Sequence, residues 1–251
     1  MNKIAAALAT ALALSAVPGL SQAEDSPIGF NLGAVSDYRY RGISQTRLNP
    51  ALQGGADLAL PGGFYVGTWL STIKWIKDWQ GDADVEWDLY GGYKGKISKD
   101  LGYDVGVLGY VYPGAVTDAW TASGFRNPNT AEVYAALSYG PGTIKYSHSV
   151  TNLFGTPDSK QSGYLDLAAT FDLAGFAVTP HIGYQSVRHA SDFSYTDYAL
   201  TVSKDLAGFI LSAAIVGADT RSVNGVKAYA SPANGKDLGR AGLVLGIKKT
   251  F

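Results

Sequence analysis

Residues 83–94 read ADVEWDLYGGYK, a run in which apolar and polar side chains alternate. Successive side chains of a β-strand point to opposite faces of the sheet, so this period of two separates the two kinds of residue. One face carries Val85, Trp87, Leu89 and Gly91, and the other carries Glu86, Asp88, Tyr90 and Gly92. The segment therefore predicts a strand that lies between an apolar environment and a polar one.

The same alternation recurs in twelve segments, each bounded by Gly, Pro, Asn or Asp. The segments are 28–41, 51–60, 63–73, 83–94, 103–112, 130–140, 143–151, 163–172, 176–187, 194–204, 208–218 and 238–251. Segment 208–218 is apolar on both faces, which leaves its register open. From residue 24 onward, the chain has no apolar run of about 18 residues, so we predict no transmembrane helix there.

The composition excludes several classes of protein. The 251 residues include 31 Gly and 16 Tyr but no Cys, and only 16 % are charged. Gly and Tyr are poor helix formers, which argues against a helical enzyme, and a disulfide scaffold would need cysteines. A formal net charge of −1 offers no basic surface for nucleic acid.

The first 23 residues have the pattern of a secretory signal peptide. Lys3 precedes the apolar run from Ile4 to Val17, and Ser21-Gln22-Ala23 is a small-residue cleavage site. We predict a signal peptide at residues 1–23 and one folded unit at 24–251, with a short membrane anchor as the alternative at the N-terminus.

The connections between segments differ in length. Those after even-numbered segments are short or moderate, such as Pro61-Gly62 and Pro141-Gly142, whereas those after odd-numbered segments tend to be longer, such as 113–129 and 219–237. Outer-membrane barrels have short periplasmic turns and long external loops. The fold prediction is all-β: a single antiparallel up-and-down transmembrane β-barrel of about twelve strands, with a soluble periplasmic β-protein as the alternative.

The polar faces carry Gly, Tyr, Asp and Arg rather than the Lys, Ser and Thr of a water-exposed surface. In a narrow lumen, charges need partners, and Asp57 is the expected partner of the arginines that end segment 28–41. Acids outnumber bases on these faces, which predicts a weak cation preference; a salt-bridge network that plugs the barrel is the alternative. The lumen-lining candidates are Asp37, Arg39, Arg41, Asp57, Glu86, Asp88, Asp104, Glu132, Lys145, Asp166, His181, Asp197, Arg240 and Lys248.

Six stretches of the N-terminal half carry a family resemblance. They are Asp37 to Thr46 (DYRYRGISQT), Pro50 to Gly55 (PALQGG) and Gly63 to Trp69 (GFYVGTW), followed by Glu86 to Tyr93 (EWDLYGGY), Tyr103 to Gly106 (YDVG) and Tyr110 to Gly114 (YVYPG). The chain resembles the proteobacterial Gcw_chp family, also called TorF-type porins. The resemblance implies an outer-membrane barrel and no established substrate.

The last segment ends in Phe251. A final Phe that closes an alternating strand resembles the C-terminal signal read by the barrel-assembly machinery, although Lys249 stands where that signal usually has an apolar residue. The expected partners are therefore this machinery, outer-membrane lipid and small polar solutes or ions, in the cell outer membrane of a Gram-negative bacterium.

The width of a barrel grows with its number of strands: about eight strands leave an interior filled by side chains, and about sixteen leave an open channel. Twelve strands therefore predict a lumen of intermediate width. Inward tyrosines would narrow the lumen further; these are Tyr65, Tyr90, Tyr110, Tyr112, Tyr134, Tyr164 and Tyr195. The sequence thus predicts a constricted, non-enzymatic channel for passive diffusion, without cofactor or metal. The alternatives are a closed structural or binding barrel and a barrel-embedded lipid hydrolase that uses His148 or His181.

Aromatic residues beyond the third segment suggest a further feature. Trp75 and Trp79 flank Ile76 and are expected in the girdle at the membrane interface. Trp and Tyr could alternatively line a sugar-binding surface.

Overall fold

The structure, a computed structural model, describes residues 27–251. The predicted signal peptide, residues 1–23, lies outside the described residues. None of the helices in this part of the chain is long and apolar enough to cross a membrane.

Twelve antiparallel strands close into a barrel, which confirms the predicted fold class and strand number. They are β1 (Ile28–Val35), β2 (Ala51–Ala59), β3 (Phe64–Thr72), β4 (Val85–Lys96), β5 (Leu101–Val111), β6 (Thr130–Tyr139), β7 (Gly142–Ser149), β8 (Gly163–Ala169, continued by Phe171–Leu173), β9 (Phe176–Ser186), β10 (Tyr195–Leu206), β11 (Phe209–Asp219) and β12 (Gly242–Thr250). Each strand pairs with its neighbours in sequence, and β12 pairs with β1 to close the ring, with Asn31 opposite Thr250.

Six long connections lie at one end of the barrel, which we call the loop end; the short turns and the outer ends of β1 and β12 lie at the other, the turn end. The long loops are L1 (36–50), L2 (73–84), L3 (112–129), L4 (150–162), L5 (187–194) and L6 (220–241). They contain α1 (Trp75–Asp78), α2 (Asp118–Ala122) and the 3₁₀ turns Leu153–Gly155 and Ser191–Phe193, whereas the 3₁₀ turn Pro61–Gly63 lies at the turn end.

The two faces of the sheet have opposite chemistry. Large apolar side chains such as Leu32, Leu89 and Leu243 are exposed on the outer face, whereas Glu86, Asp88 and other polar side chains are buried inside. Strand β11 follows the same rule: Ala214 and Val216 point inward and Ile215 outward, which settles the open register of segment 208–218. An apolar exterior around a polar interior is the arrangement of a barrel that sits in lipid.

Glycines and tyrosines pack against each other across neighbouring strands. On the inner face, the ring of each of four tyrosines lies over a glycine of the adjacent strand, where a Cβ would collide with it. The pairs are Tyr65 over Gly92, Tyr90 over Gly67, Tyr134 over Gly106 and Tyr164 over Gly183. All seven tyrosines that the sequence places inward are buried. The high Gly and Tyr content thus reflects strand glycines that admit a close aromatic neighbour.

Replacing Gly106 with Ala is expected to cost about 1–3 kcal/mol of unfolding free energy through overpacking. A Cβ at this position would lie 2.5 Å from Tyr134 Oη and 2.6 Å from the Gly91 carbonyl oxygen. Gly109→Ala, on the same strand, is the control, because the nearest atom there, the Leu89 carbonyl oxygen, is 3.7 Å away. Urea unfolding in vesicles, followed by Trp fluorescence, should destabilise only the first variant; equal losses would contradict the packing argument.

Candidate functional site

The chain after β1 turns into the barrel instead of continuing the strand. Residues 39–44, the L1 hairpin, pair Arg39–Tyr40 with Ile43–Ser44, and every residue from 37 to 46 is buried. The two-residue turn, Arg41 (φ 45°) and Gly42 (φ 79°), has the positive φ angles of a type I′ hairpin. The prediction of one strand over 28–41 is therefore wrong in its last six residues, because β1 ends at Val35.

The tip of the L1 hairpin packs against the wall formed by β10 and β11. A Cβ at Gly42 would lie 2.7 Å from Asp197 Cβ on β10 and 2.8 Å from the Gly217 carbonyl oxygen on β11. Only glycine accommodates both this contact and the positive φ. The L1 hairpin therefore extends into the lumen, with its tip against the β10–β11 wall.

The Arg41 side chain connects this tip to two other strands through hydrogen bonds. Its Nη2 donates to Glu132 Oε2 on β6 at 2.7 Å, and its Nη1 donates to Gln185 Oε1 on β9 at 2.6 Å. The guanidinium lies 4.1 Å from the centre of the Tyr164 ring on β8. Both charges of the Arg41–Glu132 pair are almost fully buried. The hairpin is thus anchored by a charge pair shielded from water, where removing one partner is costly.

Arg39 holds the base of the L1 hairpin to the start of the last strand. Its Nε donates to Asp37 at 2.5 Å, and its Nη1 donates to the carbonyl oxygens of Gly42, Leu238 and Arg240 at 2.9–3.1 Å. The Arg240 side chain itself is exposed and lies in L6 before β12, so its predicted place on the inner face of the last strand is wrong. The last strand begins only after this residue, at Gly242.

Asp57 is not the partner of these arginines. It accepts a hydrogen bond from Tyr90 Oη at 2.5 Å. The predicted pairing is wrong because it assumed that the arginines continue β1 beside β2. Since they fold into the lumen, Arg39 and Arg41 reach Asp37 and Glu132 instead.

Three carboxylates surround the L1 hairpin on β4 and β6. Glu86 accepts hydrogen bonds from Tyr38 of L1 and, at 2.7 Å, from Tyr112. Glu132 binds Arg41, whereas Asp88 is completely buried and neither oxygen of its carboxyl group has a hydrogen-bond partner among the described residues. Carboxyl groups are therefore concentrated beside the hairpin.

A second group of polar side chains lies nearer the turn end. Tyr65 donates to Asp104 at 2.6 Å, and the Lys145 ammonium lies 4.2 Å from the centre of the Tyr134 ring. Lys145 stands opposite Asp166 across β7 and β8. Lys248 lies on the inner face of β12, half-buried.

His181 joins two carboxylates on the inner face. Its Nε2 lies 2.9 Å from Asp166 Oδ2, and its Nδ1 lies 3.5 Å from Asp197 Oδ1. Within residues 27–251, no serine hydroxyl is hydrogen-bonded to this ring. His148 points outward on β7 beside Tyr146. The structure therefore brings neither histidine into the Ser–His contact that the hydrolase alternative requires.

An aromatic cluster covers the loop end of the barrel. It includes Trp75 and Trp79, which the sequence predicted to lie at the membrane interface. The Trp75 ring stacks edge-on to Tyr112 and Trp120, and Trp79 packs against Phe125. Ile76 is completely buried. The predicted girdle position of Trp75 and Trp79 is wrong, because L2 folds over the barrel and its tryptophans pack against L3 rather than lipid.

Sequence reasoning missed the L1 hairpin and, with it, Tyr38 and Gln185 as contacts of the lumen charges. The one local signal was Arg41-Gly42, a two-residue turn between Tyr40 and Ile43. Arg is uncommon at a positive φ, so the signal was weak.

Comparison with known structures places the architecture among porin barrels. The KdgM porin matches with a TM-score of 0.54 at 7 % identity, covering 89 % of this chain and 98 % of its own. A second structure of it is described as in complex with disordered oligogalacturonate. The NanC porin matches with a TM-score of 0.53 at 11 % identity over the same shares. At these identities, the likeness shows the fold.

The sequence itself matches one family over almost its entire length. Residues 21–251 match the family described as bacterial protein of unknown function (Gcw_chp), and the chain belongs to it. This confirms the resemblance seen in the sequence. No curated protein matches the chain.

Proposed function

We propose that this protein is a porin-type channel of the bacterial outer membrane, through which ions or small polar solutes diffuse. The observation that carries the proposal is the many polar and charged side chains in the interior of a closed barrel whose exterior is apolar. A purely structural barrel of this size needs no charges inside, because apolar side chains of equal volume fill a lumen at lower desolvation cost.

The interior charges favour cations or neutral solutes. Of the candidate residues, eight acids and four Lys or Arg lie on inner strand faces or in L1, since Arg240 is exposed. Asp88 has no partner among the described residues and stands beside Glu86 and Glu132. A ring of carboxylates lowers the energy of a cation and raises that of an anion. A polyanion such as the oligogalacturonate of the KdgM complex would therefore be disfavoured here.

The route to the membrane follows from the chain ends. We propose that residues 1–23 export the protein, that residues 24–251 form the barrel, and that Phe251 is read by the barrel-assembly machinery. Phe251 continues β12 through mutual backbone hydrogen bonds with Phe30. Its side chain is more than half exposed, on the face that assembly factors or lipid would contact.

Refolded protein in a planar bilayer is expected to conduct, with a small conductance because the L1 hairpin extends into the lumen. Under a salt gradient, the reversal potential should have the sign of modest cation selectivity. Asp104→Asn with Asp166→Asn should reduce that selectivity, whereas the control Asp172→Asn, an exposed turn-end residue, should leave it unchanged. If the refolded protein, shown to be folded by heat-modifiable gel migration, does not conduct, the channel proposal is refuted.

A closed structural or binding barrel is the second candidate. The observation in its favour is the burial of the Arg41–Glu132 pair, which holds the hairpin inside the lumen. Unchanged solute uptake in a deletion strain would support this second function over the first.

A further inference from the structure

The loop end contains a cavity of about 210 Å³ above the L1 hairpin. We call this cavity the vestibule. All six long loops contribute to its wall. Its floor is formed by Tyr40 and Ile43 of the hairpin, and its sides include Trp79, Phe125 and Phe193. The vestibule therefore lies on the loop side of the L1 hairpin, and Gln185, which binds Arg41, belongs both to its wall and to the polar interior.

The chemistry of the wall favours an apolar ligand. It is mainly apolar, and within the part of the chain that the structure describes it includes no charged side chain. Two of its polar side chains are already engaged: Gln185 accepts from Arg41, and Tyr229 donates to the Phe193 carbonyl oxygen at 2.8 Å. A sugar or an ion would lose most of its hydrogen bonds to water here, because the mainly apolar wall offers few groups to replace them.

The volume limits the size of the occupant. An engineered apolar cavity of about 150 Å³ binds benzene, so this one has room for one or two fused rings. Aromatic walls favour aromatic partners through edge-to-face and offset-stacked contacts. We propose that the vestibule binds a small uncharged aromatic molecule, which rests directly on the L1 hairpin.

The test uses the full barrel in phosphatidylcholine vesicles and equilibrium dialysis with 1-naphthol, after subtraction of binding to protein-free vesicles. Saturable binding of one molecule per barrel is expected. Ala228→Phe places a phenyl ring in the vestibule and should weaken binding at least about tenfold. Ala233→Phe, on an exposed part of the same loop, is the matched control and should bind like the unaltered protein.

Size-matched 1-naphthalenesulfonate and glucose test the chemistry of the site, and neither is expected to bind detectably. Heat-modifiable gel migration checks that each variant folds; if Ala228→Phe does not, Ala230→Leu fills the same space. Unchanged naphthol binding in the folded filling variant, or equal affinity for the sulfonate or glucose, would overturn the proposal. Because the measurement is binding, its outcome is independent of whether the barrel conducts.

Discussion

Replacing residues 37–49 with a short Gly-Ser turn is expected to raise the single-channel conductance several-fold. The deletion removes the L1 hairpin, whose tip contacts the β10–β11 wall, and it leaves the barrel ring intact. Val35 and Ala51 are paired neighbours at the ends of β1 and β2, so a short turn can join them. Planar-bilayer recording of the refolded variant measures the change, and gel migration confirms that it folds.

L6 offers a matched control for this deletion. Residues 222–227 also form a hairpin, with a two-residue turn of positive φ at Asn224 and Gly225. Most of this hairpin is exposed. Replacing it with a Gly-Ser turn should leave the conductance unchanged. If both deletions, or neither, alter the conductance, the L1 hairpin is not the constriction.

These two hairpins show where local sequence is informative. The dipeptide Asn224-Gly225 by itself predicts a turn, because Asn and Gly adopt positive φ readily. Asp37, Arg39 and Arg41 instead continue the alternation of β1, so periodicity alone could not distinguish a longer strand from a hairpin folded inward. The difference lies in the distant contacts of the tip with Asp197 and Glu132, which no local pattern contains.

The barrel itself was predictable because its pattern, unlike the contacts of the L1 hairpin, is local in the sequence. Alternation within a strand such as β4 is a local property, and it fixes which face each residue occupies once the exterior is apolar. The placement of Asp88 and Tyr90 on the inner face follows from it directly. The partner of each charge does not, because it depends on the stagger between strands: Arg41 and Glu132 are 91 positions apart in the chain.

Exchanging Arg41 for Ala is expected to lower the unfolding free energy by about 3–5 kcal/mol. The change leaves the Glu132 carboxylate buried without its cation and close to Asp88, which is itself unpartnered among the described residues. It also removes the hydrogen bond to Gln185 and the contact with the Tyr164 ring. Urea unfolding in vesicles measures the loss.

The double-mutant cycle with Glu132→Ala separates the charge pair from the other contacts. The double variant should lose less than the sum of the two single losses, by about 0.5–3 kcal/mol, since it leaves no unpaired Glu132. The control is Lys77→Ala, which breaks an exposed pair in L2 where hydrogen bonding from Lys77 lowers the pKa of Asp84. Its effect should be small, because solvent screens exposed pairs. Additive losses at Arg41 and Glu132 would mean that the hairpin is held by its other contacts, and the charge pair would then have no part in keeping the lumen constricted.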